Sequence, residues 1–447
     1  MYNNVVIGYK VCYNILNYIW HIEVTKMYLE NIKIKNFKKI ESMEIRFQKR
    51  FNLIIGDNSV GKTSILEAIA IGLGGFIAGV QGIKGVNFSS DEIRRVTEFT
   101  GKGSFNVKYV TPVEVECEVN LNNKHFKYVR KKNSIKSSHT TVEPRDICKE
   151  AAKLVDDKYS ELPVISYQSA SRMWSQKKNK WNDLFGDDFS RRIGYTDCLD
   201  EDSNIKMMTK WCKRMEEVSW QMNEKIDEYE SAKNAVSKFI NIMTDRDDSY
   251  VFFDKRSLEL MCRINNEELP LRLLSAGYRS MIGMVFDIAY RMSVLNPDML
   301  DSTFCTKGIV LIDEIDLHLH PKWQWKVIEA LEKVFPNVQF IATTHSPIIL
   351  SSYNGEYVIS INDSCEIEYR KAAYGYVVND VLSILQDSDR RLPGLQKIYS
   401  SFYEAIDNED IEKADKILSE LKGRCREDAP DIIEAQTTID LEKMDLD

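Results

Sequence analysis

The 447 residues are 43% hydrophobic and 29% charged, with 20 Gly and 10 Pro, which excludes a disordered, collagen-like or low-complexity chain and allows a large core. Lys and Arg total 60 against 68 Asp and Glu, a formal net charge of −8, so no global basic field marks nucleic acid as the partner and any such contact must be a local patch. Nine scattered cysteines without a CxxC pair read as thiols of a reducing compartment, and the apolar stretch Val5 to Trp20, broken by Lys10, Asn14 and Asn17, falls short of a bilayer span; the expected location is the cytoplasm, away from membranes.

In chain order, residues 1–26 form an N-terminal extension, open between an accessory helix and an upstream start, since Met27 stands directly before the first strand pattern. Alternation over Leu29 to Phe37 and Met43 to Phe47 predicts a pair of half-buried strands. Phe51 to Ile55 reads as a short apolar strand and Lys62 to Gly72 as a helix. Residues 105–130 alternate again, with Asn122-Asn123 joining antiparallel strands, and 131–147 read as a polar loop. Ile205 to Glu217 and Trp220 to Ile242 are helical runs with interleaved Lys and Glu, which marks 190–245 as a helical insertion. A hairpin around Asn265-Asn266 and a helix from Tyr278 to Val294 follow. The apolar strands Ile309 to Ile312 and Gln339 to Ala342 flank a helix over Lys322 to Phe335, and their unbroken apolarity belongs in a parallel sheet covered on both faces. The expected organisation is an α/β core in two halves, 27–189 and 246–390, split by the insertion and followed by a helical tail over 391–447.

Gly56-Asp-Asn-Ser-Val-Gly61-Lys62-Thr63 matches GxxxxGK[ST], the phosphate-binding P-loop, and sits between a strand and a helix as that motif requires. Its glycines let successive N–H groups point at phosphate oxygens, and the following helix adds its positive end. The nucleotide-binding residues expected here are Gly56, Asn58, Gly61, Lys62, Thr63 and Ser64, with Lys62 for the β- and γ-phosphates and the Thr63 hydroxyl for Mg²⁺.

Two later segments bear acids and a histidine at strand ends. Asp313 follows Ile312 at a carboxyl edge, where α/β ligands gather, and suits the Mg²⁺ role; Glu314 suits polarising an attacking water. A pair of solvated acids is the alternative. His345 follows the second buried strand and should emerge on the same edge as Asp313, within reach of a γ-phosphate. Asp316, His318 and His320 lack a fourth ligand for zinc and read better as a loop contacting a partner subunit.

Leu273-Leu-Ser275-Ala-Gly277-Tyr-Arg-Ser280 resembles the LSGGQ signature of ABC-type ATPases, with Ala276 and Tyr278 in place of the usual glycine and glutamine. The order of strand pair, P-loop, insertion, signature, Asp-Glu and His resembles the ABC ATPases related to RecF, SMC and the OLD proteins. Leu162 to Trp174, Asp313 to Pro321 and Thr343 to Pro347 further resemble bacterial standalone ATPases of anti-phage systems such as Septu, a likeness covering residues 27–430. The resemblance implies an ATP- and Mg²⁺-dependent ATPase that dimerises around nucleotide. Ser275 and Gly277 would reach the other subunit's γ-phosphate, Asp313 would hold Mg²⁺ through water, Glu314 would act as base and His345 as the switch residue. Gln168 would be the glutamine linking Mg²⁺ to the insertion, a surface glutamine being the alternative.

Three functions compete. In the first, a homodimer or higher homo-oligomer is the sensor of a defence complex and a separate HNH-type nuclease is the effector, since the residues after His345 read as too few and too helical for a Toprim nuclease domain. In the second, a DNA repair or maintenance ATPase holds DNA or RNA through the runs Lys124 to Lys136 and Arg172 to Lys180; a solvated hairpin tip is the alternative for the first run. A transporter ATPase fits worst, because the signature departs from the usual one and the insertion is long.

Overall fold

A computed structural model describes residues 27–101, 104–173, 190–200, 205–264, 266–297, 305–386, 391–426 and 428–446. The expected extension over 1–26 and the basic run from Trp174 onward lie outside these residues. The chain divides into two compact units, with the boundary between Tyr374 and Gly375.

In the first unit, β1 (Tyr28–Phe37) and β2 (Ile40–Arg46) pair antiparallel, and β3 (Phe51–Gly56) runs through the P-loop into α1 (Lys62–Ile77). β4 (Arg95–Gly101) and β5 (Ser104–Tyr109) form a separate ribbon. β6 (Val113–Leu121) and β7 (Lys124–Lys132) turn at Asn122-Asn123, and both asparagines take the positive φ that this tight hairpin needs. The short β8 (Thr141–Glu143) completes a five-stranded antiparallel sheet in the order β2-β1-β6-β7-β8. Alternation in β6 is strict: Val113, Val115, Cys117, Val119 and Leu121 face inward and acids face out.

α2 (Asp146–Asp156) leads to β9 (Val164–Gln168). The insertion contains α3 (Ile205–Met222) and α4 (Asp227–Thr244), and β10 (Tyr250–Asp254), β11 (Glu259–Ile264) and β12 (Glu267–Pro270) follow as an antiparallel trio. Next come α5 (Ala276–Leu295) and β13 (Gly308–Ile312), then α6 (Pro321–Gln324) and α7 (Val327–Val334), which are two helices where the sequence predicts one. β14 (Val338–Thr343), α8 (Pro347–Ser352), β15 (Tyr357–Ile361) and β16 (Ile367–Lys371) end the unit.

The second sheet has the order β16-β15-β3-β14-β13-β9, parallel except for the β15–β16 edge. Every residue of β13 and β14 is buried, as expected for strands covered on both faces. α1 is buried almost all round because it packs on this sheet and also under β6 and β7. Glycine makes the second contact possible: a Cβ at Gly72 would sit 2.4 Å from Cys117 Sγ, and one at Gly75 2.4 Å from the Tyr128 ring. The insertion is sealed on α5 by Trp211, whose ring meets those of Tyr229, Phe286 and Tyr290 edge-on at 5.5, 6.5 and 5.1 Å.

The second unit contains α9 (Val378–Leu385), α10 (Pro393–Asp407), α11 (Ile411–Arg424) and α12 (Pro430–Leu446). Phe402, Leu418, Leu421, Ile432 and Ile439 form its core. No described helix is long and apolar enough to cross a membrane.

Candidate nucleotide site

Because β3, β14, β13 and β9 are neighbours and parallel, the segments that follow them emerge side by side on one edge. That brings the P-loop, the His345 segment and the Asp313-Glu314 pair together from sequence-distant origins. Gly56 has φ 147° and a Cβ there would meet Ile361 O at 2.5 Å, so the loop can start only at a glycine; Gly61, with φ 107°, ends it. Asn58 and Thr63 are exposed and Ser64 is half-buried. Lys62 is 7% exposed and its Nζ donates to the carbonyls of Gly56 and Asp57, both at 2.8 Å. Burial holds its ammonium below the usual lysine range, opposed by the carboxylates of Asp313, Asp57, Glu314 and Asp316.

Thr63 Oγ1 lies 3.0 and 3.3 Å from the two oxygens of Asp313, itself 2% exposed. Thr343 Oγ1 donates to Asp313 Oδ1 at 2.7 Å and accepts the Glu314 N–H at 2.8 Å. Glu314 takes a left-handed φ of 47°, a turn that ends β13 at the acids. Thr344 Oγ1 donates to Asp316 Oδ1 at 2.6 Å, which ties the next acid to the β14 end. His345 is half-buried among Lys62, Asp316, Glu314 and Asp57; burial first and the Lys62 charge second hold its imidazole below the ordinary histidine range.

Gln168 departs from both of its expected readings. Its register partner on β13 is Ile312, one residue before Asp313, so the two side chains leave opposite faces of the sheet. The Gln168 amide is buried and donates to Ser166 Oγ and Asp287 Oδ2, both at 2.8 Å, while Arg291 pairs with the same Asp287 oxygen at 2.9 Å. It is therefore neither turned toward Thr63 and Asp313 nor on the surface. Its backbone carbonyl instead accepts the Asp313 N–H at 2.8 Å.

Ser275 is the exposed N-cap residue of α5 and its hydroxyl makes no capping bond. Gly277 packs against the loop after Glu314: a Cβ there would meet His318 O at 2.6 Å. Tyr278, one of the departures from the LSGGQ pattern, stacks edge-on with Trp323 at 4.2 Å.

The first basic run is not a free cationic patch. Arg130 is 2% exposed and bonds the carbonyls of Ile71 and Val86 at 2.8 and 2.9 Å, and Lys132 donates to Phe88 O at 3.0 Å. Lys124 pairs with Glu150, Lys127 with Glu116 and Glu118, and Lys131 with Glu143. These acids come from neighbouring strands and α2, so Lys124, Lys127 and Lys131 are paired in space with acids that stand outside the run.

Sequence reasoning missed Thr343, although it stands two residues before His345, and Lys39. Lys39 arrives from the β1–β2 turn, and its Cε would lie 3.2 Å from a Cβ at Gly61; no motif announces it.

A P-loop on the central strand of a parallel sheet, with Asp-Glu on the strand two places away, defines a P-loop nucleoside triphosphatase. Comparisons sharpen that class. An AAA-domain family profile matches residues 31–249, and a second AAA-domain profile, described with the AbiEii toxin of type IV TA systems, matches 222–351. The "Retron Vc95 probable ATPase" of Vibrio cholerae serotype O1 biovar El Tor is 26% identical over 89% of this chain and 87% of its own. The Septu protein PtuA of Bacillus thuringiensis is 25% identical over 86% and 91%. The DNA replication and repair protein RecF of Geobacter metallireducens is 51% identical over 43 residues, 10% of this chain and 12% of its own. The chain is an ATPase, with AAA-domain matches that together span residues 31–351 and similarity along most of its length to the retron and Septu proteins.

Proposed function

We propose that ATP is bound between the Gly56–Ser64 loop of one chain and the Ser275–Gly277 turn of a second. The resulting dimer, alone or within a larger homo-oligomer, would be the switch of a bacterial anti-phage complex whose separate effector nuclease does the damage. The observation that carries the chemical part is the meeting of Thr63 with Asp313, with Glu314 next in the chain, beside a loop whose lysine bonds two carbonyls that it can give up.

Thr63 and Asp313 present oxygen donors only, one of them a buried carboxylate, which suits Mg²⁺; these two residues would hold it, and when bound it neutralises charge on the phosphates. Lys62 exchanges its two carbonyl bonds for phosphate oxygens. Glu314 takes the proton of the attacking water, and its backbone is steadied by Thr343. His345, whose imidazole is held below the ordinary histidine range by burial and the Lys62 charge, offers an N–H to the transferred phosphoryl group. Ser275, exposed at the start of a 20-residue helix, supplies the partner's half of the anion site.

The defence role rests on the likeness to retron and Septu ATPases together with the motif runs over 162–174 and 313–321. Plaque assays on cells carrying the gene with its neighbours test it: Lys62→Ala should remove protection, and protection that survives would overturn the reading. DNA binding that falls steeply with salt would instead favour a RecF-like maintenance role.

A further inference from the structure

Three strands of the antiparallel sheet bring a histidine and two carboxylates to one point. One ligand atom each from Glu30 on β1, Glu118 on β6 and His125 on β7 lies within 4.8 Å of the other two. His125 Nε2 is 3.2 Å from Glu30 Oε2 and 4.0 Å from Glu118 Oε2.

Local structure explains the convergence. The β1–β6 register shifts between Leu29 and Asn31, so Glu30 is the extra residue of a bulge and can lean out on the face that Asn31 and Glu118 already share. Lys127 engages the other oxygen of Glu118 at 2.8 Å and Glu116 at 3.1 Å, which leaves Glu118 Oε2 turned to the imidazole. Glu30 also accepts from the Tyr28 hydroxyl. Asn120 stands directly opposite His125 in register, so both project from the same face, and Asn120 Oδ1 is buried without a hydrogen-bond partner.

We propose that Glu30, Glu118 and His125 form a divalent transition-metal site, best matched by Zn²⁺, that staples β1, β6 and β7 together. Imidazole with carboxylates is a zinc donor set, and donors of a tetrahedral zinc shell lie roughly 3.3 Å apart at bond lengths of about 2.0–2.1 Å. The observed separations need only small side-chain shifts to reach that geometry. A bare contact between His125 and Glu30 leaves Glu118 Oε2 at 4.0 Å from the imidazole, whereas a cation would draw both carboxylates and the imidazole onto one centre. The ligands are a quarter to a half exposed, so the ion exchanges with solvent.

Equilibrium dialysis of the full chain against Zn²⁺ in excess Mg²⁺ tests this. Wild type should hold one more Zn²⁺ per chain than His125→Ala, with affinity in Glu30→Gln lowered at least about tenfold and the zinc-free, Mg²⁺-supported ATP turnover unchanged in both. Equal zinc content in wild type and both variants would overturn the proposal. Co²⁺ supplies the second readout: visible d–d bands that vanish in His125→Ala support the site, while a sulfur-to-cobalt charge-transfer band unaffected by the substitution would put the ion on cysteines and sink it. Glu30→Gln, which preserves shape, carries the test should His125→Ala fail to fold.

Discussion

Thr343 donates its hydroxyl hydrogen to Asp313 at 2.7 Å and with the same oxygen accepts the N–H of the residue after it, Glu314. One fully buried side chain on β14 thus sets the two acids that follow β13. Thr343→Val keeps the shape but leaves the Glu314 N–H without this acceptor, a cost of about 1–3 kcal/mol. Thermal unfolding should show the loss, and steady-state kinetics should show kcat reduced about tenfold with ATP affinity nearly kept. An unchanged kcat would mean that Thr343 does not position the acids.

Lys62→Ala should abolish ATP binding in calorimetry without lowering the melting temperature of the nucleotide-free chain much. The ammonium is buried and bonds two loop carbonyls, so burial and bonding nearly offset.

Glu314→Gln keeps the volume and removes the base. Turnover should fall about 10²- to 10⁴-fold while ATP still binds. Light scattering should then find an ATP-loaded dimer where wild type with ATP shows a mixture. Normal hydrolysis by this variant would remove Glu314 from the role.

His345 gives a pH prediction. Its folded-state value is depressed by burial and by Lys62, with Asp316, Glu314 and Asp57 pulling the other way. The unfolded chain therefore binds this proton at higher pH than the folded chain. Stability is fully present above the ordinary histidine value and falls as pH drops from there toward the lowered one. Between about pH 7.5 and about 5.5, wild type should lose more melting temperature than His345→Gln. Equal losses would show that His345 titrates normally.

Gly277→Val should displace the loop after Glu314, because its Cβ would collide with His318 O at 2.6 Å. Expected is loss of ATP-dependent dimerisation with ATP binding by the monomer retained, read by sedimentation with and without nucleotide. Simultaneous loss of both would point to general misfolding.

The most legible parts of the fold were those whose partners are local or whose environment is uniform. β13 and β14 are buried on both faces and so read as unbroken apolar runs, and the P-loop, Asp313 and His345 follow from them. The hairpin at Asn122-Asn123 was legible because its turn residues are. What escaped depends on distant contacts. Gln168 ends a strand as a metal-linking glutamine should, but register places it on the wrong face and Asp287, far along the chain, captures it. The run from Lys124 looked uncompensated because Glu116, Glu118, Glu143 and Glu150 reach it only through sheet pairing and α2 packing. Lys39 belongs to no motif, and only the folded turn brings it beside Gly61.

The interleaving of the second sheet has a consequence for synthesis. β3, made early, lies between β14 and β15, made late, so while the chain is still leaving the ribosome the P-loop strand has no parallel neighbour on either side. Ile361, whose carbonyl crowds Gly56, is among the last residues needed to hold the loop in shape. A polypeptide that stops between Ser64 and Ser360 carries the whole phosphate-binding sequence while Gly56 still lacks its register partner Ile361. The strand that opens the phosphate-binding loop is thus flanked on both sides only once translation has passed the last parallel strand.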